Sequence, residues 1–74
     1  MRLKKDEISK KIGRDIRQIR KSKGMTIEKL AHDAGIEYTQ LSRIELGKIN
    51  TSVYHIYIIA ESLSIPAVDI FDGV

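Results

Sequence analysis

Cysteine is absent from this chain, and the absence removes two chemistries at once. No disulfide can staple the fold and no thiolate can hold a metal, so a reducing cytosol is the expected location. Histidine is scarce: His32 and His55 stand apart without a partner at ligand spacing, whereas zinc takes about three or four protein donors. Both are expected to be solvated or locally bonded, and no metal or cofactor is expected. Long apolar runs are missing too, since nothing approaches the ~20 residues of a membrane span. The opening Met1-Arg2-Leu3-Lys4-Lys5-Asp6-Glu7 lacks the apolar centre of a signal peptide. There is no glycine-rich phosphate cradle and no nucleophile set beside a base. Asp6, Glu7, Asp15 and Asp33 form no pair suited to acid–base exchange. Neither an enzyme nor a small-molecule substrate is expected.

What is present is charge, unevenly placed. Residues 1–25 hold ten of the thirteen Lys and Arg against three acids, while the remainder holds three against seven. A basic first third on a small domain suits a polyanion, with a solubilising helix face as the lesser alternative. The 74 residues are expected to form one domain, 1–74. At this size only about 60% of the unfolded surface is buried, so stability depends on efficient packing or on a partner.

Apolar periodicity predicts an all-α, compact five-helix bundle. Lys4 to Lys11 reads as a frayed arm entering the first helix, with residues 1–6 a flexible basic arm. From Glu7 onward Ile8, Ile12, Ile16 and Ile19 recur at steps of four, four and three, a single helical stripe ending at Gly24. Thr26 caps a second helix over Ile27 to Ala34 that buries Leu30 and Ala31. Gly35 stands where the backbone reverses, in a conformation that only a residue without a Cβ takes cheaply. A third helix runs from about Glu37 or Tyr38 to Leu46, with Leu41 and Ile44 inward. After a polar loop, Thr51 or Ser52 caps a fourth helix with Val53, Ile56, Ile59, Ala60 and Leu63 on one side. Pro66 opens a short fifth, in which Ala67, Ile70 and Phe71 bury apolar surface.

Two short helices joined by a glycine-containing turn form a helix-turn-helix pattern. The outer side of the second is unusual. Tyr38, Thr39, Gln40 and Arg43 leave the apolar face, where a solvated helix would more often carry Glu and Lys. Arg suits guanine, Gln suits adenine, and Thr or Tyr suits a thymine methyl or a phosphate. Arg43 has three readings at this stage: guanine reader, phosphate clamp or surface charge.

With Gly24-Met25-Thr26-Ile27-Glu28-Lys29-Leu30-Ala31, then Gly35-Ile36, then Leu41-Ser42-Arg43-Ile44-Glu45-Leu46-Gly47-Lys48 and Asn50, the chain resembles the Cro/repressor-type (Xre-like) helix-turn-helix family. The resemblance covers about residues 12–71 and implies a lambda-repressor-like DNA-binding domain. By that resemblance, base-reading positions fall on Tyr38, Thr39 and Arg43, with Gln40 a further candidate. DNA backbone contacts fall on Arg17, Thr26, Ile27, Lys48 and Asn50. Arg20 and Glu45 match a pair that forms a salt bridge in similar proteins. Two positions depart from the pattern. Ile27 stands where Gln is common, so the role of that Gln is either given up or passes to helix N-terminal amides. Glu37 stands where Ser or Thr is common; it either caps its helix, the favoured reading, or accepts from a cytosine amine.

The fourth helix is apolar on two sides, because Tyr54, Tyr57 and Ile58 form a second patch beside its core stripe. In similar proteins the C-terminal helices build a homodimer. Tyr54, Tyr57, Ile58, Ile65, Val68 and Phe71 are the interface candidates, with Ile65 and Phe71 the readiest to be ordinary core and Ile58 the least. The expected partners are double-stranded DNA and a second copy of the chain, in a transcriptional regulator that reads a palindromic operator. Stand-alone chains of this kind resemble phage repressors, antitoxin subunits and restriction-modification controllers. Two rivals remain: a protein-interaction module, such as an antitoxin whose fourth helix binds a toxin, and a non-specific nucleic-acid binder working through its basic arm.

Overall fold

Isoleucine at steps of four, four and three builds α1 (Lys5–Ser22) in the computed structural model, which describes residues 4–71. Ile12 and Ile16 are buried, and Ile8 and Ile19 pack at the margin of the core. The helix starts before Glu7 because Glu7 reaches back: its Oε1 accepts from the backbone N–H of Lys4 at 3.2 Å. Asp6 and Glu7 then sit in the first turn, where the helix dipole favours negative charge. Lys5 and Asp6 of the expected arm are therefore helical, and residues 1–3 lie outside the described part.

Thr26 caps α2 (Ile27–Ala34), accepting from the N–H of Lys29 at 3.1 Å. The helix closes on Gly35, whose φ of 69° lets its N–H reach the His32 carbonyl while Ile36 N–H reaches that of Ala31. This paired closure brings a buried hydrophobe, Ile36, against the end of the helix. The chain enters α3 (Tyr38–Glu45) at once, with Leu41 and Ile44 fully inside. Leu46 ends α3 one residue early, and Gly47 turns the chain away.

Ser52, rather than Thr51, caps α4 (Val53–Ser62), its Oγ accepting from His55 N–H at 3.0 Å. Ile56, Ile59, Ala60 and Leu63 are buried, but Val53 is not: as the first residue of α4 it is 78% exposed. The expected fifth helix is a single 3₁₀ turn, Ala67–Asp69. Pro66 is extended (ψ 141°) and stands before the turn instead of inside it. Only Ile70 of this segment is buried, so no apolar stripe is available to offset helix nucleation. Phe71 stays at the surface, a second departure from expectation.

Among the described residues there is no strand, and no helix is long and apolar enough to cross a membrane. Ile16, Leu30, Leu41, Ile44, Ile59, Leu63 and Ile70 form the fully enclosed centre. Each such side chain contributes roughly 1.5–3 kcal/mol of transfer free energy. α3 packs between α1 and α2, and α2 in turn packs on α4. The pair α2–α3 is thus held from both sides, with the outer surface of α3 left uncovered.

Candidate nucleic-acid interface

Because Leu41 and Ile44 are anchored in the core, the opposite side of α3 must face outward. Tyr38, Thr39 and Arg43 do so and are exposed. Gln40 does not share that face. It is half-buried, and its Nε2 meets His55 Nδ1 of α4 at 3.4 Å, a long approach at the limit of hydrogen bonding. One turn beyond Arg43 the same face ends in Leu46, 53% exposed. An apolar side chain at that place is not among the sequence expectations; the helical step of three from Arg43 is the signal that could have found it.

Glu37 precedes the helix but makes no capping hydrogen bond, which corrects the favoured reading of that residue. A capping side chain must fold back onto the first-turn amides, and Ser, Thr, Asp and Asn do this with shorter arms. The carboxylate stays exposed at the start of α3.

The residues expected at the DNA backbone divide into two groups. Arg17 and Ile27 line one shallow recess with Ser42 and Leu46, at the foot of α3 and above Arg20 and Glu45. Thr26 stands at the N-terminus of α2, its Oγ1 occupied as a cap. Lys48 and Asn50 belong to the loop after α3. Lys48 is exposed, its N–H bonded to the Arg43 carbonyl at 2.9 Å. Asn50 is fastened to α1: Ser9 Oγ donates to its Oδ1 at 2.9 Å, which leaves the amide NH₂ as the free end. The sequence gives no hint of Ser9, since the partners lie 41 positions apart.

Beneath this surface the structure pairs Arg20 with Glu45. Arg20 Nε donates to Glu45 Oε2 at 2.8 Å and Nη2 to Oε1 at 3.0 Å, a two-point bridge between nearly buried side chains. Nη1 donates to the Met25 carbonyl at 2.8 Å, so one guanidinium ties α1, the connection to α2, and α3. The Glu45 hydrogen bonds raise the Arg20 pKa above its ordinary value, outweighing the opposing effect of burial.

On α4, Tyr54 is 68% and Tyr57 58% exposed, and Val68 beyond the helix is also open. Ile58 and Ile65, by contrast, pack against the chain's own core. Against expectation, Ile58 is partly buried on the core while Phe71 stays exposed.

Two short helices at a glycine turn, the second rooted in the core and polar outside, define a helix-turn-helix module. The sequence profile of the helix-turn-helix family HTH_3 matches residues 16–70, and the chain belongs to that family. It is 39% identical over 63 residues to the HTH-type transcriptional regulator SlrR of Bacillus subtilis, a match covering 84% of this chain and 41% of SlrR. The chain thus spans less than half the length of that relative. Among solved structures, the restriction-modification controller protein C.AhdI of Aeromonas hydrophila superposes with a TM-score of 0.82 at 31% identity, covering 84% of this chain and 94% of the controller. An HTH_3 family transcriptional regulator of Vibrio cholerae gives 0.87 at 22% identity, over 92% of this chain and 38% of its own, a likeness of fold alone.

Proposed function

We propose that this chain is a sequence-specific, double-stranded-DNA-binding transcriptional regulator that works as a homodimer on a palindromic operator. The observation that carries the reading is the outer face of α3, where Tyr38, Thr39 and Arg43 stand exposed on a helix rooted by Leu41 and Ile44. With its side chains an α-helix is about 10–12 Å across, which fits a major groove about 12 Å wide. Arg17, Lys48, the free amide of Asn50 and the N-terminus of α2 at Thr26 and Ile27 brace the phosphates on either side. Gln40, turned toward α4, reads a base only after leaving His55. The resemblance to a restriction-modification controller over nearly its full length supports a small regulator of this type.

Selection of bound sequences from a random duplex library tests the reading, and an enriched two-fold-symmetric site is the expected result. Its half-sites should lie about 34 Å apart, the spacing of recognition helices in such dimers. On the selected site Arg43→Ala should cost roughly 1–3 kcal/mol and relax preference at one base pair. Equal losses on selected and random DNA would reassign Arg43 to a phosphate.

Exposed Val53, Tyr54 and Tyr57 favour a protein partner on α4, and the occupant we assign is a second copy. Tyr54→Asp combined with Tyr57→Asp is expected to shift the mass in sedimentation from dimer to monomer and to weaken operator binding at least tenfold. A wild-type chain that sediments as a monomer at tens of micromolar points instead to a heterologous partner, such as a toxin.

A further inference from the structure

Four of the exposed cations on α1 share one face, and the fold gives no reason for them. Lys10, Arg14, Arg17 and Lys21 follow one another at steps of four, three and four, which sets them in one row along the helix. All four are exposed, and none takes part in an ion pair among the described residues. The paired cations are Lys11 with Asp15, Arg20 with Glu45, and Lys29 with Asp33. Neighbouring like charges at such spacing destabilise a helix slightly, and only Lys21, in the last turn, gains from the dipole. The row therefore weakens α1 in isolation, and its contribution has to come from outside.

Its place is informative. At one end the backbone of Lys10 lies against Gly47, just past α3. In the middle Gly13 lies against the carbonyls of Ile44 and Glu45, and Arg17 opens into the recess shared with Ile27, Ser42 and Leu46. Arg14, Arg17 and Lys21 line an open groove with Gln18, in which the nearby Asp15 carboxylate is already neutralised by Lys11 at 2.7 Å. The row is roughly 16 Å long at 1.5 Å per helical residue; most of it borders the foot of α3, and its Lys21 end runs past.

We propose that this row is a second surface for the phosphate backbone of the same duplex, outside the base pairs that α3 faces. The proposal rests on the DNA-binding reading above and extends its footprint. A duplex carries one negative charge per about 1.7 Å of axis, so a row of this length meets several phosphates, whereas an acidic protein surface has no such regular spacing.

Arg14→Gln combined with Lys21→Gln tests it, with circular dichroism confirming unchanged helicity. Binding is measured against salt on the selected site carrying a full helical turn of flanking DNA on each side, and on the same site trimmed of its flanks. On the long duplex the variant should bind roughly tenfold more weakly at low salt. Its log K against log salt slope should be shallower by about 2, near 0.9 for each phosphate left without its cation. Preference among sites should not change, and on the trimmed duplex the two proteins should converge. A variant with the wild-type slope on the long duplex overturns the proposal, as does a weakening that persists in full on the trimmed one. Either result leaves site-specific binding by the wild type standing. A wild type with no preferred site would overturn the underlying reading and this proposal with it.

Discussion

Replacing Arg20 with methionine is expected to remove about 3–5 kcal/mol of stability, the cost of stranding a buried charge. A domain of this size holds roughly 4–11 kcal/mol in total, so the variant should sit at the edge of unfolding. The side chain of Glu45 is 4% exposed, and its two oxygens both accept from Arg20. Without the guanidinium, that carboxylate has neither water nor a donor. The Met25 carbonyl is deprived of its partner as well, and with it goes the brace between α1 and α2.

A second substitution should undo much of the damage. Arg20→Met with Glu45→Leu replaces the pair by apolar groups of similar volume, an exchange that is often neutral. Urea midpoints of the two single variants and the double variant measure the difference. A decrease below about 1 kcal/mol for Arg20→Met would class the pair with solvated surface bridges. The sign of any pH effect follows from the arginine, whose folded pKa lies above its unfolded one. Its contribution is fully present below the unfolded value and is lost only as pH rises through the folded one. Across the neutral range the gap between wild type and Arg20→Met is therefore expected to stay constant on the arginine side.

The helix-turn-helix is legible because each part of it is a local matter. Thr26, Gly35 and the Leu41–Ile44 spacing act within a few residues of where they stand, and the backbone follows them. The fold class follows from the isoleucine stripe in the same way. Pairings between distant segments are not legible. Gln40 looks outward on a helical wheel, yet α4 brings His55 beside it; Ser9 gains Asn50 only after α3 and its loop have folded back. Ile58 packs on the core and Phe71 stays exposed because burial near the C-terminus depends on where the chain turns after Pro66, which periodicity does not report. Glu37 misleads for another reason. Its carboxylate suits a helix N-terminus in charge, but its length does not suit a cap.

Gly13→Ala is expected to destabilise the chain even though alanine is the better helix former by about 1 kcal/mol. Gly13 is a buried helical residue, so its missing side chain is a matter of space. A Cβ there would run into the Ile44 carbonyl oxygen and lie 2.6 Å from that of Glu45. Both obstacles are backbone, and neither can rotate away. The same crossing is tight at Gly47, where a Cβ would come 2.7 Å from Lys10 Cα at a φ of 71°. To admit the methyl group α1 and α3 must separate, which strains the two-point bridge between Arg20 and Glu45 further along the same crossing. Overpacking of this kind costs about 1–3 kcal/mol. In a domain of this size each 1 kcal/mol lowers Tm by about 4–8 °C, which calorimetry resolves easily. The displaced element carries Thr39 and Arg43, so operator affinity measured in the cold should fall further than the decrease in folded fraction accounts for. A Tm at or above that of wild type would mean that α1 and α3 slide apart without cost. The orientation of the outer face of α3 would then be set by α2 alone.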